Sequence, residues 1–272
     1  MHVWGIARAF GGHVVLRVED HDRTRCRPEY EAALLDDLEW LGFVPDEGQI
    51  AQFRHGATPL RQSDNGAAYG DALVRLDAAQ RVYACTCSRR DVLAITGPTG
   101  PGEEAVYPGT CRVARKPGDS TRARRVQLED GEVRFDDLAL GAQRQAPSHD
   151  CGDVLLRDRF GHWTYQCAVV VDDVNQDIDV VIRGEDLLSS TGRQIVLARM
   201  LGRVVPPLYL HHPLIRHADG RKLSKAANDT SLRELRAAGA DAASLIGEAA
   251  KRCGLRHAPD RLAASDVARL FV

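Results

Sequence analysis

The sequence predicts an α/β fold: a Rossmann-like, doubly wound parallel sheet that is interrupted by an inserted subdomain and followed by a helical C-terminal segment. Apolar runs typical of buried strands occupy residues 13–19, 168–173 and 179–184. Helical patterns alternate with these runs, which favours a parallel sheet. Residues 96–120 contain many Gly and Pro with little periodicity, so they indicate an irregular insertion.

The N-terminal part of the chain reads as helix, strand and helix. Gly11 and Gly12 are expected to end a first helix, because glycine readily takes the left-handed conformation that closes a helix. The apolar run HVVLRVE follows as a strand. Pro28 begins the next helix, whose apolar residues recur at helical spacing until Gly42 ends it. A further helix is predicted over residues 65–80.

The second half of the chain returns to apolar runs. Residues 122–145 are expected to form short strands of the inserted subdomain. AVVVDD at 168–173 and DVVIRG at 179–184 are predicted as central strands, because strands buried on both faces are continuously apolar. A helix is predicted over about 190–201, and the amphipathic, Ala-rich chain after Asn228 is predicted to be helical.

Composition places the chain among ordinary globular proteins, with 44% hydrophobic and 27% charged residues in a length of 272. No run approaches the about 20 apolar residues of a membrane helix, and the first twelve residues lack the pattern of a secretory signal. We therefore expect a cytoplasmic protein without a membrane partner. A monomer is expected separately, since composition does not bear on the oligomeric state. The net charge of −2 excludes a global basic field. Arg122, Arg124 and Arg125 form a local basic cluster, which fits RNA binding or a solvated surface.

Three of the seven cysteines form a pattern that is typical of a metal site. Cys85 and Cys87 flank Thr86, and Cys111 follows after the irregular stretch. An odd number of cysteines in a cytoplasmic chain does not favour a disulfide framework. A structural zinc ion binds four ligands in a tetrahedron, and Tyr107 is the candidate for the fourth. Spacing alone fits ordinary reduced cysteines equally well.

The segment HADGRKLSK, residues 217–225, contains two lysines that flank Leu223 and Ser224. Lysines on a mobile, glycine-containing turn can reach a polyphosphate and stabilise charge that develops during group transfer. Lys222 and Lys225 are therefore candidate ATP-binding and catalytic residues. A solvated basic loop is the alternative interpretation.

KLSK resembles the second signature of class I aminoacyl-tRNA synthetases. LRVEDHDRTR, WTYQCAVVVDD, VVIRGEDLLSSTGRQ and LYLHHPLI are similar, in the same order, to motifs of the glutamyl branch of that class. YACTCSRR and YPGTCR resemble the zinc element of one subfamily, the glutamyl-Q tRNA(Asp) synthetases. These blocks extend from about residue 4 to about residue 230, and an ordered match of this length is far more specific than any single motif.

The resemblance implies an L-glutamate site. Glu19 matches the carboxylate that holds the substrate's α-amino group, with an ion pair to Arg17 or Arg23 as the structural alternative. Tyr165 matches a substrate-contacting tyrosine, and core packing is its alternative.

Arg183 matches the arginine that binds the side-chain carboxylate of glutamate, for which a planar guanidinium fork is well suited. A structural salt bridge with Glu185 or Asp186 is the alternative. Lys225 matches the lysine that contacts ATP, with Lys222 nearby and Mg²⁺ as the expected counter-ion. The resemblance also implies one zinc ion per chain, with four ligands: Cys85, Cys87, Tyr107 and Cys111.

The reaction implied by the resemblance is that of an ATP-dependent ligase. L-Glutamate is activated to glutamyl-adenylate without tRNA and is then transferred to queuosine at the anticodon wobble position of tRNA(Asp). The implied organisation divides a catalytic domain into residues 1–80 and 149–210. Residues 81–148 form an inserted acceptor-like subdomain with the zinc site, and residues 211–272 form the KLSK loop and helical tail.

The start of the chain departs from the family pattern. Members of the family begin with a strand and a Gly-rich, His-containing loop that cradles ATP at a helix N-terminus, whereas this sequence starts within the helix that follows. We interpret the chain as an N-terminally truncated form of an active enzyme. A non-catalytic remnant that binds RNA or an amino acid is the alternative. A shortened glutamyl-tRNA synthetase is a third hypothesis, which the zinc pattern disfavours.

Overall fold

The structure is a computed structural model of the chain that describes residues 1–24, 26–100, 104–114, 122–215, 230–255 and 258–272. The α-helices of this part are α1 (His2–Phe10), α2 (Pro28–Leu41), α3 (Ile50–Arg54), α4 (Gly66–Ala78), α5 (Arg89–Thr96), α6 (Thr110–Ala114), α7 (Pro147–Asp150), α8 (Tyr165–Asn175), α9 (Thr191–Met200), α10 (Leu232–Ala237) and α11 (Ala242–Arg252). The strands are β1 (Val82–Cys85), β2 (Ala123–Val126), β3 (Val133–Asp137), β4 (Gly141–Gln145), β5 (Val154–Arg157), β6 (Val180–Gly184) and β7 (Leu208–His212). Short 3₁₀ helices span Gln62–Asp64, Glu185–Ser190 and Ala264–Leu270.

The strands form two sheets. The first has the order β1-β2-β5 and is antiparallel throughout. The second has the order β4-β3-β7-β6, in which β7 runs parallel to both β3 and β6, while β3 and β4 form an antiparallel hairpin. The second sheet is therefore mixed, and its parallel edge carries the polar residues of the candidate site.

The α/β class is confirmed, but the prediction of a doubly wound parallel sheet is wrong for the part of the chain that the structure describes. The segment 13–19 is extended, yet it makes only isolated parallel bridges, from Val15 to Glu47 and from Val18 to Arg61. The hairpin of β3 and β4 adds an antiparallel pair because a short connection reverses the chain direction. The predicted strands of 122–145 are present and are shared between the two sheets. The division of the chain into four segments stays a prediction.

The prediction of a central strand at 168–173 is also wrong, because these residues lie in helix α8. The Thr164 hydroxyl caps this helix by accepting from the Cys167 backbone N–H. All six residues from Cys167 to Asp172 are buried. A helix that is surrounded by protein on every side is apolar all round, so its sequence has the same continuous run as a buried strand. DVVIRG does form a strand, β6, but at a sheet edge among the described strands rather than at the centre.

The other helix predictions are confirmed. Helix α1 ends at Gly11 and α2 at Gly42, and both glycines have left-handed backbone angles, with φ of 69° and 81°. Helices α4 and α9 correspond to the predicted stretches 65–80 and 190–201, and the tail contains α10 and α11. Among the described helices, none combines the length and the apolar character needed to cross a bilayer.

The main hydrophobic core lies between the first sheet and helices α4, α8 and α9. Its fully buried members include Tyr69, Val126, Leu156, Val171 and Leu197. Helix α8 contributes an almost continuous run of buried side chains to this core. Because α8 is fixed along its whole length, its first residue, Tyr165, has a well-defined place at the edge of the core.

Candidate functional site

A cluster of polar side chains lies at the carboxyl ends of the parallel strands β6 and β7. Arg183 on β6 is paired directly opposite His211 on β7. Side chains of directly paired residues lie on the same face of a sheet, so these two groups meet. The carboxyl ends of parallel strands are the usual place for ligands in open α/β sheets.

The guanidinium of Arg183 is held by three neutral acceptors. Its Nε donates to His211 Nε2 at 3.0 Å, Nη1 donates to Gln194 Oε1 at 2.7 Å, and Nη2 donates to Thr191 Oγ1 at 2.9 Å. The guanidinium carbon also lies 5.6 Å from the centre of the Tyr209 ring. These contacts fix the plane of the guanidinium without neutralising its charge.

His211 is fixed in turn by Asp137 on β3. His211 Nδ1 lies 2.6 Å from Asp137 Oδ2, and both side chains are completely buried. Burial is the main cause that lowers the pKa of His211, and the charge of Arg183 acts in the same direction against the attraction of Asp137. The imidazole is therefore neutral, and the contact with Asp137 is a charge-assisted hydrogen bond rather than an ion pair.

A second chain of hydrogen bonds leads away from Arg183 through Gln194. Gln194 Nε2 donates to Gln166 Oε1 at 2.8 Å, and Gln166 Nε2 donates to Ser190 Oγ at 3.0 Å. Arg193 donates to the same Ser190 oxygen at 3.0 Å. These bonds assign the amide orientation of Gln194, so that its oxygen faces Arg183.

Tyr165 lies close to both Glu19 and Arg183. The pKa of Tyr165 is raised, first by burial and then by the negative charge of Glu19, while the charge and hydrogen bonding of Arg183 oppose this rise. The Tyr165 ring is 6.2 Å from the ring of His21. The structure thus brings together the three residues that the sequence predicts for glutamate binding; their roles stay a prediction.

The Glu19 carboxylate is paired but accessible. It accepts from Arg17 at 3.1 Å, and its side chain is 40% exposed. Arg17 is mostly buried and is also bound to Asp173 at 2.8 Å, so its charge is shared. Arg23, the other suggested partner, pairs instead with Asp20 at 2.7 Å. Glu19 therefore presents a carboxylate whose charge is only partly compensated.

The KLSK lysines, Lys222 and Lys225, lie outside the described residues. Their predicted roles in ATP binding and catalysis stay a prediction.

A second polar cluster lies where β1 meets the segment around α6. The Sγ atoms of Cys85, Cys87 and Cys111 all lie within 4.8 Å of one another. The Cys87 and Cys111 sulfurs are 3.6 Å apart, close to the about 3.8 Å expected for two thiolates at the usual zinc–sulfur distance in a tetrahedron. Three convergent thiols are a donor set suited to zinc.

The fourth predicted ligand, Tyr107, also points into this cluster. Its hydroxyl oxygen is 3.5 Å from Cys85 Sγ and 3.9 Å from Cys87 Sγ, and it accepts from the Cys111 backbone N–H at 2.9 Å. Burial and the neighbouring thiols raise the pKa of Tyr107, whereas the Arg125 guanidinium lies over its ring at 3.7 Å. A bound cation would favour the phenolate, so the arrangement fits a metal ion with a Cys₃Tyr ligand set.

Sequence reasoning missed the residues that surround Arg183. Asp137 lies in a region predicted to belong to the inserted subdomain. Thr191 and Gln194 stand in the motif VVIRGEDLLSSTGRQ and in a predicted helix, but the sequence predicted no role for them in the glutamate site. His211 stands in a recognised motif, LYLHHPLI, at the end of a strand. A histidine in that position was the one signal that could have pointed to it.

Comparison with known proteins was consistent with the motifs. A family model described as "tRNA synthetases class I (E and Q), catalytic domain" matches residues 1–261. A glutamyl-Q tRNA(Asp) synthetase of Symbiobacterium thermophilum is 40% identical, with 98% of this chain and 84% of that protein covered. Proteins of the same name from Nitratidesulfovibrio vulgaris and Rhodobacter capsulatus are 41% and 39% identical, covering 94% and 88% of this chain and 80% and 88% of those proteins.

Two solved structures share the fold. A glutamate-tRNA synthetase of Elizabethkingia anophelis and a glutamate tRNA ligase of Elizabethkingia meningosepticum, in complex with its amino acid, each superpose with a TM-score of 0.78 at 22% identity. Each match covers 98% of this chain, which spans 60% of the length of those two chains. The family model, the relatives and the fold agree with the ordered motifs, and the chain belongs to the class I (E and Q) tRNA synthetases through their catalytic domain.

Proposed function

We propose that this protein activates L-glutamate with ATP to glutamyl-adenylate and transfers the glutamyl group to queuosine in the anticodon of tRNA(Asp). The observation that carries the proposal is the convergence of Glu19, Tyr165 and Arg183. The partly compensated Glu19 carboxylate and the fixed Arg183 guanidinium both lie close enough to the Tyr165 hydroxyl to shift its pKa, in opposite directions. The family membership and the names of the relatives support the same reaction.

The charges of this site complement those of glutamate. The α-ammonium group of the substrate is attracted by the Glu19 carboxylate, and its γ-carboxylate by the Arg183 guanidinium. Charge-assisted hydrogen bonds of this kind are about twice as strong as neutral ones. The Tyr165 hydroxyl can accept from one substrate group and donate to another, which orients glutamate with its α-carboxylate free to react.

The activation step needs no side-chain nucleophile. An oxygen of the substrate's α-carboxylate attacks the α-phosphorus of ATP, the bond to the bridging oxygen breaks, and pyrophosphate leaves with the electron pair. Catalysis then consists of positioning and of stabilising the charge on the phosphates. Lys222, Lys225 and Mg²⁺ are proposed for that stabilisation.

Transfer to tRNA requires a surface that accepts an anticodon loop. A cavity of about 1040 Å³ lies beside the cysteine cluster and is lined by Arg89, Arg125 and Arg159 and by the 70% exposed Phe160. A smaller cavity of about 320 Å³ shares Arg125 with it and extends to Tyr165. Arginines bind phosphates, and an exposed aromatic ring can stack on a base. A hydroxyl of queuosine would attack the glutamyl carbonyl carbon, and AMP would leave.

We propose zinc as the ion of the cysteine cluster, with a structural role. Cross-linking β1 to the segment around α6 would hold the floor of the larger cavity, since Cys85 and Cys87 line it. A closed four-ligand site has no open position for substrate, so the ion would stabilise the surface that meets tRNA without taking part in the reaction.

The first test is glutamate-dependent ATP–pyrophosphate exchange by this chain without tRNA, with glutamate binding measured in parallel by calorimetry. Exchange that depends on L-glutamate and is lost in Arg183→Ala would support the proposal. Glutamate binding without any exchange would favour the binding remnant. Exchange that Arg183→Ala leaves intact would remove Arg183 from the glutamate site.

Transfer is tested separately, with tRNA(Asp) that carries queuosine and with the same tRNA that carries guanosine at the wobble position. Labelled glutamate should appear only on the queuosine form, and removal of the 3′-terminal adenosine from that tRNA should not prevent labelling. Labelling that requires an intact 3′ end would instead indicate the shortened glutamyl-tRNA synthetase.

A further inference from the structure

We propose that Asp137 and His211 are positioning residues for Arg183 as a carboxylate-binding group. Asp137 holds His211 as the Nδ1–H tautomer, and the unprotonated Nε2 of His211 then accepts from Arg183 Nε. This inference rests on the proposed function, in which Arg183 binds the γ-carboxylate of glutamate. It adds two buried residues, on β3 and β7, to the determinants of amino-acid specificity.

The orientation of the Asp137 carboxylate is set by the backbone. Its Oδ1 accepts from the N–H groups of Ala139 at 3.0 Å, Leu140 at 2.9 Å and His211 at 3.3 Å. Its Oδ2 is therefore the atom that faces His211 Nδ1, at 2.6 Å. An ionised carboxylate can only accept, so Nδ1 must carry the imidazole proton.

The tautomer of His211 decides what Arg183 meets. With the proton on Nδ1, the unprotonated Nε2 is an acceptor, and it lies 3.0 Å from Arg183 Nε. The other tautomer would place two N–H groups against each other at this distance. The buried Asp137–His211 pair therefore provides a hydrogen-bond acceptor for Arg183 Nε. The Thr191 hydroxyl oxygen also lies 3.3 Å from the same Nε2.

The donors of Arg183 can be counted. A guanidinium has five N–H groups, and three of them go to His211, Gln194 and Thr191. The two N–H groups that remain belong to the Nη atoms, and Arg183 also hydrogen-bonds the Tyr165 hydroxyl. A γ-carboxylate that takes the place of this hydroxyl would accept from both N–H groups. Because the three acceptors are neutral, the full positive charge stays available to the ligand.

This arrangement explains a preference for glutamate over glutamine. Both of the remaining Arg183 groups are donors, so they match the two oxygens of a carboxylate. A carboxamide offers one oxygen and one NH₂ group, and the NH₂ would face a donor. A site whose donors are fixed rejects such a mismatch strongly because a buried polar group is left unpaired.

The informative substitution in the pair is Asp137→Asn. The three backbone N–H groups would bind the asparagine oxygen and turn its NH₂ towards His211 Nδ1. The imidazole would then carry its proton on Nε2, facing Arg183. A comparable aspartate-to-asparagine change beside a catalytic histidine, in another enzyme, leaves the geometry intact and imposes the wrong tautomer.

His211 itself offers a matched pair of variants. In His211→Gln the amide oxygen can take the place of Nε2 and accept from Arg183. In His211→Asn the shorter side chain can replace only Nδ1, so it contacts Asp137 and does not reach Arg183. Both variants remove the imidazole from the same buried position, and they differ in whether Arg183 keeps its acceptor.

The experiment measures glutamate affinity by calorimetry for the full chain and for the three variants, with ¹⁵N spectra of the histidine ring and circular dichroism of each. We expect Asp137→Asn and His211→Asn to weaken glutamate binding by about tenfold or more, the effect of losing a hydrogen bond to a charged group. We expect His211→Gln to stay within about threefold of wild type. The His211 ring resonances, identified by their loss in His211→Gln, should change from the Nδ1–H to the Nε2–H pattern in Asp137→Asn.

Each outcome separates the inference from the function on which it rests. Wild-type protein that does not bind glutamate would refute the proposed function. Wild-type binding with unchanged affinity in folded Asp137→Asn and His211→Asn would overturn the positioning role alone. Equal weakening in His211→Gln and His211→Asn would also overturn it, because loss of packing rather than loss of the acceptor would then explain the effect.

Discussion

Arg183 and His211 stand directly opposite each other on two parallel strands, and Arg183 Nε lies 3.0 Å from His211 Nε2. This contact joins the residue that recognises substrate in our proposal to a buried histidine that is itself bound to Asp137. It makes the carboxyl end of the second sheet the centre of the candidate site.

We expect Arg183→Lys to weaken glutamate binding by at least about tenfold, although it keeps the positive charge. An ammonium group is a point charge and cannot make the parallel pair of hydrogen bonds that a guanidinium makes to a carboxylate. Calorimetry measures the loss. The control is Arg199→Lys on the partly exposed last turn of α9. Equal affinities for wild type and Arg183→Lys would argue that charge alone, without the fork, binds the substrate.

The cysteine cluster should contain about one zinc ion per chain, as a structural site of four ligands does. We expect Cys111→Ser to lose the metal, because serine does not supply a thiolate. Elemental analysis of purified protein measures the zinc content. Cys253→Ser is the matched control, because Cys253 is far from the cluster in sequence and is not one of its three cysteines.

Tyr107→Phe tests the fourth ligand separately. If the phenolate binds the ion, this variant should retain zinc less tightly and lose it to a chelator at a lower concentration than wild type. Identical chelator titrations for the two proteins would show that Tyr107 is not a ligand.

Gly152→Ala should destabilise the segment that carries Tyr107. Gly152 has a φ of 69°, and a Cβ at this position would lie 2.2 Å from the Tyr107 carbonyl oxygen. The backbone must therefore shift, at a cost of about 1–3 kcal/mol. Urea unfolding measures the loss of free energy. Gly131→Ala is the control, because open space surrounds the corresponding Cβ; equal stability of the two variants would contradict the argument.

Asp172→Ala should lower the free energy of unfolding by about 3–5 kcal/mol, the usual effect of breaking a buried charged network. The Asp172 carboxylate is buried, and it accepts from Gln62, Asn65 and Tyr69 at 2.9–3.0 Å. Its removal leaves the buried donors of Gln62 and Tyr69, the partly buried Asn65 and Arg17 without this acceptor. Asp177→Asn, at an exposed left-handed position where asparagine is tolerated, should change the stability by less than about 0.5 kcal/mol.

The stability of the protein should depend on pH through His211. Burial lowers the pKa of His211 in the folded state below its ordinary value of 6.5. Between these two values the unfolded chain binds the proton and the folded protein does not, so the free energy of unfolding falls as the pH falls below 6.5. The contribution of neutral His211 to the free energy of unfolding is fully present above pH 6.5.

His211→Gln removes this titration. The stability of the variant should therefore fall less steeply than that of wild type between about pH 6.5 and pH 5, when both are measured by urea unfolding across that range. Parallel curves for the two proteins would show that His211 is not held neutral by burial.

Much of the fold was predictable from local sequence. The ends of α1 and α2 follow from Gly11 and Gly42, because only glycine takes the required left-handed angles readily. Pro28 likewise marks the first turn of α2. These signals act within a few residues, and no distant contact is needed to read them.

Helix α8 shows where local signals fail. Its three consecutive valines favour a strand, yet the segment is helical and buried on every side. A continuous apolar run has no periodicity to distinguish the two structures. The packing of α8 against α4, α9 and the first sheet decides between them, and that packing is not visible in any short window of sequence.

The sequence by itself determined the family of this protein, because the motifs occur in a fixed order, and it predicted the residues that converge as Glu19, Tyr165 and Arg183 and as the three cysteines. Only the tertiary structure decided how Arg183 is held. Gln194 on α9 and His211 on β7 bind it directly, and Asp137 on β3 acts through His211. Their effect depends on distances of about 3 Å and on the tautomer of one buried histidine. A linear sequence states which donors and acceptors exist, whereas the fold determines which of them meet.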